Sequence, residues 1–182
     1  MKNLLKNRKV AVVLTVIIMI LATLIGSNRS MAAEAYDIEQ YFIYGYGGYS
    51  IQRELDTRTG LAKNLLVVAE RNLTVNDSAV KELQDAIIQM EKAKTVNEKS
   101  DANQKLTAAT ERMNLVLDEC WLSSSDDRYR RQISMELAAC NQAISQDPYN
   151  ELAMQYNTEV LGSFPGNVLK MVNGIEELET FR

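Results

Sequence analysis

YNELAMQYNTEVLGSFPGNVLK, residues 149–170, begins as a helix and stops abruptly. Leu152, Tyr156 and Val160 recur every four residues, the period of one helix face. Gly162 and Pro165 end the run: glycine tolerates the left-handed C-cap, and proline cannot continue the hydrogen-bond ladder. Phe164, Val168, Leu169, Met171 and Val172 then make a short apolar surface. Such a surface closes the open end of its own core or meets a membrane or a membrane partner. Tyr149 and Tyr156, seven apart, lie on one face two turns apart, and Asn150 and Asn157 repeat with them. Buried Tyr and Asn side chains need partners, so the repeat predicts a polar seam that fixes bundle register.

The same period runs backwards through the chain. Ile51, Leu55, Ala62, Leu65, Leu66, Ala69 and Leu73 form one stripe. A turn at residues 73–77 follows, with Asp77 or Asn76 as cap of the next helix. Val80, Leu83, Ile87 and Met90 form a second stripe. Thr95 and Glu98 read as a capping box. Ala102, Leu106, Ala109, Met113, Val116, Leu117 and Cys120 form a third. The serine and aspartate cluster at residues 123–127 is a loop with an N-cap. A fourth stripe begins at Tyr129, Ile133, Leu137, Cys140 and Ile144 and is interrupted by Pro148. The proline either kinks the helix or restarts it, with Asp147 as cap. No strand pattern appears. The expectation is an all-α fold: an N-terminal transmembrane helix followed by an antiparallel four-helix bundle, out, back, out and back.

The transmembrane helix is read from residues 10–28, which carry no charge. About 18 residues at 1.5 Å each span roughly 27 Å, close to the hydrocarbon thickness. Lys2, Lys6, Arg8 and Lys9 precede it, so residues 1–9 are expected in the cytoplasm and the bundle outside. Cleavage near Ala32 or Ala35 is the alternative and would give a secreted domain. Residues 29–50 hold five of the eight tyrosines and the run Gly45-Tyr46-Gly47-Gly48. They read as an interfacial hinge between anchor and bundle. Residues 51–173 are the bundle. Residues 174–182, with Glu176, Glu177 and Glu179, read as a solvated acidic tail.

Composition removes several functions. Beyond the anchor's basic start the chain has 16 basic and 24 acidic residues, a formal balance of −8. Nucleic acid is therefore not an expected partner. The absence of histidine removes the commonest general base and metal ligand. No metal, cofactor or catalytic residue is expected, and Glu54, Asp56, Glu70, Glu82 and Asp85 read as a solvated helix face. In an antiparallel hairpin that turns near residue 125, Cys120 and Cys140 are offset by more than a disulfide allows, so both are expected as free thiols.

Two blocks carry a resemblance. Tyr149-Asn150-Glu151, Tyr156-Asn157 and Phe164-Pro165-x-Asn167 resemble the C-terminal pattern of the LemA family, YNEAV…YN followed by FP-x-N. Arg58, Leu61, Asn64 and Leu65 are similar to that family's R-x-x-L-I-P-N-L-V. Lys63 stands at the family's proline, Pro148 stands where the family helix is continuous, and the Gly-rich run replaces a helical join. The resemblance implies a bacterial, helical, membrane-associated protein with no agreed enzymatic activity. The expected function is a non-catalytic, single-pass protein of the cell envelope. It would meet lipid through residues 10–28 and hold or regulate another membrane or envelope protein. The second reading is an extracytoplasmic small-ligand sensor that signals through a partner.

Overall fold

The computed structural model describes residues 8–45, 48–74 and 77–182 and is all-α. The helices are α1 (Arg8–Tyr44), α2 (Ile51–Asn72), α3 (Ser78–Lys92), α4 (Val96–Asp118), α5 (Ser124–Ser145), α6 (Tyr149–Gln155) and α7 (Phe164–Asn173). A π-helical turn, Tyr156–Val160, joins α6 to the stop before α7. The chain divides into two compact units. One combines the described residues up to Glu39 with Glu151–Leu178; the other combines Gln40–Asn150 with Glu179–Arg182.

The second unit is the four-helix bundle. Helix α2 packs against α3, α4 and α5, and α3 packs against α4. Bond registers give the directions. Lys63 pairs with Glu91 and Glu70 with Gln84, so numbers rise on α2 as they fall on α3. Lys105–Gln89 and Arg112–Glu82 do the same for α4 and α3. Ser134–Asn114 and Arg130–Asp118 do so for α5 and α4. Leu55, Ala62, Leu65, Val68 and Ala69 on α2 are fully buried, with Leu83, Leu106, Met113 and Leu117 from its neighbours.

Local chemistry sets the helix ends. Ser50 accepts from the Arg53 N–H, Asp77 from Ala79, and Ser123 from Asp126. Thr95 and Glu98 form the reciprocal capping box that their spacing predicts. Residues 75–76 lie outside the described residues, so Asn76 as the alternative cap does too. Pro148 splits the last long helix: α5 ends at Ser145, α6 starts at Tyr149, and Asp147 Oδ1 accepts from the Tyr149 N–H at 2.9 Å. Lys63, in place of proline, leaves α2 unbroken.

Several expectations are corrected. The Tyr-rich juxtamembrane stretch is helical to Tyr44. Helix α1 stops at Gly45, which has φ 61°, and a Cβ there would lie 1.4 Å from the Tyr49 carbonyl oxygen. Residues 46 and 47 of the expected hinge lie outside the described residues. Tyr129 is exposed rather than inward. The last residues are not a solvated end, because Phe181 is buried. Both cysteines are free thiols, as expected, with Cys140 buried and Cys120 half-buried.

The other unit contains the membrane-length segment. Among the described residues α1 is the helix long and apolar enough to cross a bilayer, which fits membrane anchoring. Val12, Ile18 and Met19 on it are exposed, so the fold itself does not cover this surface.

Burial pushes the Cys140 thiol up from 9.0 to about 11, and the adjacent Glu54 carboxylate adds to the shift. An acid with a higher pKa folded than unfolded stabilises the fold below the unfolded value. It loses that contribution as pH rises through the folded one. The window is therefore pH 9 to 11. Two pH units correspond to about 3 kcal/mol. Urea unfolding of the chain in detergent micelles should show wild type losing about that much more stability across the window than Cys140→Ala. Parallel curves would exclude the buried neutral thiol.

Candidate functional site

The Tyr-Asn repeat is resolved separately within each unit. In the bundle unit Tyr149 is 1% exposed and its hydroxyl donates to the Glu179 carbonyl at 2.8 Å. The Asn150 side chain makes a two-way amide pair with Phe181: Nδ2 donates to the Phe181 carbonyl, and the Phe181 N–H donates to Oδ1 at 2.7 Å. In the anchor unit Tyr156 donates to the Met31 carbonyl of α1 at 3.2 Å. Desolvation raises its pKa, with Glu34 and Glu39 adding to the effect. Asn157 repeats the clasp on Leu178, donating at 2.9 Å and accepting at 2.8 Å. The seam exists, but its asparagines do not pair helix with helix. Each acts as a surrogate peptide unit for a stretch of main chain that has no helix to satisfy it.

The bundle adds further contacts to that stretch. Ser100 Oγ donates to the Arg182 main-chain oxygen, and the Arg182 N–H donates back to it at 2.9 Å. The Asn97 N–H, in the first turn of α4, donates to Glu179 Oε2 at 2.9 Å, where the helix dipole favours a carboxylate. The Phe42 ring meets Tyr149 edge-on at 5.1 Å and Phe181 at 6.1 Å, and Lys99 Nζ lies 5.4 Å from its centroid. Phe42, Ser100 and Phe181 are missing from the sequence reading. The only signal for them is the aromatic at each end of a polar stretch.

Helix α7 divides the expected interaction surface. Leu169 is buried and Val168 half-buried, while Phe164, Met171 and Val172 are 85%, 88% and 74% exposed. Pro165 takes the first turn, Ser163 is the N-cap, and Asn167 is exposed with its amide on the Gly162 carbonyl. A Cβ on Gly166 would lie 2.2 Å from the Val160 carbonyl oxygen, so the packing of α7 requires glycine. Asn173 Nδ2 donates to Asn28 Oδ1 at 3.1 Å. The end of α7 therefore adjoins the residue where the uncharged run of α1 stops.

The Arg58, Leu61, Asn64 and Leu65 motif of α2 also divides. Leu61 and Leu65 are core, and Asn64 and Glu151 face solvent. Arg58 is 1% exposed. Its Nη2 donates to Thr107 Oγ1 at 2.7 Å, while Nε and Nη1 have no acceptor. Desolvation lowers its pKa, and Cys140 and Glu111 act in the opposite sense. Leaving a buried ion unpaired costs on the order of several kcal/mol. Beside it α2, α4 and α5 enclose a cavity of about 440 Å³. Arg130, the second buried arginine, is also new, and it meets Asp118 and Asp127.

Residues 49–182 match the model of the LemA family. A comparison with curated proteins found no match.

The clasp is open to direct test. In Asn150→Ala the Phe181 N–H loses its acceptor. A hydrogen bond of this kind contributes about 1–2 kcal/mol, so exchange of that amide should accelerate roughly 5- to 30-fold. Asn150→Asp keeps the acceptor and should show a smaller effect. Unchanged exchange in Asn150→Ala, read by NMR, would remove the clasp from the account.

Proposed function

The chain belongs to the LemA family, and from that premise we propose that it is a non-catalytic, membrane-anchored module that holds or regulates another membrane protein. In this reading α1 crosses the membrane with the basic residues Lys2, Lys6, Arg8 and Lys9 on the cytoplasmic side. The bundle lies outside the cytoplasm, in the cell envelope. The partner is met by α7.

The observation that carries the reading is the Asn173–Asn28 hydrogen bond. It ties α7 to the border of the apolar run, and Met171 and Val172, just before Asn173, are exposed there. Apolar side chains at that level favour a protein or lipid surface over water. Phe164, two turns earlier, extends the same exposed set. All three side chains are exposed, which supports the docking role over that of a lid. A membrane protein is the proposed partner because α7 presents no cation-rich face for lipid headgroups: its basic residue is Lys170, which pairs with Glu177 at 2.6 Å.

A photo-cross-linker at Val172, activated in native membranes and read by mass spectrometry, tests this. One recurring protein adduct, lost with Met171→Ser, is the expected result. Adducts only to lipid and to the chain's own α1 would overturn the regulator reading and leave an anchor alone.

A further inference from the structure

The bundle buries two arginines and treats them differently. Arg130 meets the carboxylates of Asp118 and Asp127. Arg58 meets one neutral oxygen, Thr107 Oγ1. Its Nε and Nη1 carry three N–H groups between them, and neither nitrogen has an acceptor. Among the described residues no carboxylate lies within ion-pair distance of Arg58. Glu111 acts on it only across space, and the nearby Cys140 thiol is neutral at ordinary pH. Buried charges are normally paired, and an apolar side chain of similar volume fills such a position at lower desolvation cost. Packing alone therefore gives no reason for arginine here.

The surroundings supply one. Arg58 lines the cavity of about 440 Å³ enclosed by α2, α4 and α5, a volume typical of small-molecule sites. Leu115, Leu137 and Ala138 form an apolar wall, and Thr110, Asn114 and Asn141 add polar groups. Leu115, Ala138 and Asn141 are exposed, so the cavity opens at the surface. It holds a single cation, and Glu111 also lines it. One positive charge beside one carboxylate suits a ligand with a single negative charge and disfavours a phosphate dianion.

We propose that this cavity binds a small organic monocarboxylate. The carboxylate pairs with the Arg58 guanidinium, whose Nε and Nη1 are buried without an acceptor and become accessible on a small shift of the side chain, and the apolar body lies against Leu115, Leu137 and Ala138. Arginine is then retained for the ligand, as an anion receptor beside the cavity. The site is independent of the docking role given to α7.

The test is thermal unfolding of the full chain in detergent micelles with benzoate, propionate, phosphate or chloride at matched ionic strength. Benzoate or propionate should raise Tm by about 3–6 °C at a tenfold excess over Kd, and phosphate and chloride should not. Arg58→Met should lose that rise while melting no lower than wild type without ligand, an outcome that a purely structural arginine would not give. No rise with either carboxylate, a rise that persists in Arg58→Met, or a rise with phosphate alone overturns the proposal. Should Arg58→Met fail to fold, the Nε–H resonance of Arg58 in wild type decides. A downfield shift on adding benzoate upholds the site, and an unmoved resonance rejects it.

Discussion

Burial of α2 by three neighbours is the constraint on which the bundle depends. Each of α3, α4 and α5 packs on it, so its inward stripe must fit three surfaces at once. Ile51, Leu55, Leu61, Ala62, Leu65, Val68 and Ala69 meet that demand with close-packed apolar volume. Arg58 occupies a position of the same stripe, three residues after Leu55 and four before Ala62. Its guanidinium lies beside the cavity that α2, α4 and α5 line.

A second demand comes from main chain outside helices. Buried N–H and C=O groups must be paired wherever the chain leaves regular structure. Sheets meet this with a neighbouring strand. Here helical side chains meet it instead. Asparagine is suited to the task, because its amide offers a donor and an acceptor with the spacing of a peptide unit. Asn150 and Asn157 each use both, and the residues they hold, Phe181 and Leu178, are three apart while the asparagines are seven apart. Within each unit the asparagine thus closes on one main-chain residue, taking its N–H and its C=O together.

These clasps mark how much the sequence disclosed. Features whose partners lie within a few residues were legible: the Thr95–Glu98 box, the caps Asp77 and Ser123, and the restart after Pro148. The Tyr-Asn period was legible too, but its partners were not, because a non-helical stretch has no period to match. The glutamates near the end suggested water and hid Phe181 among them. Tyrosines and glycines in residues 29–50 suggested one long hinge. The helix nevertheless runs through Tyr36, Tyr41 and Tyr44, since tyrosine takes helical backbone readily when its neighbours pack, as buried Phe42 does. In α7 the composition located an apolar surface without its phase. A helix of ten residues leaves too few turns to decide which of Val168, Leu169, Met171 and Val172 faces in.

Arg58 was read in the sequence only as a motif residue, and its burial was not read there. The apolar stripe of α2 skips from Leu55 to Ala62, two full turns, and a helix face does not pause for two turns inside a bundle. Arg58 and Thr59 both fall in that gap, and the structure buries Arg58. Sequence alone could not say whether a carboxylate waited for it, because that depends on which residues α4 and α5 bring across. The structure brings Thr107 from α4 and keeps Asp118 and Asp127 for Arg130, at the other end of the bundle's polar contacts. The pairing of one arginine and the isolation of the other use the same helices and the same kinds of residue. The difference is therefore not a shortage of acids in this acidic chain, but where the fold places them.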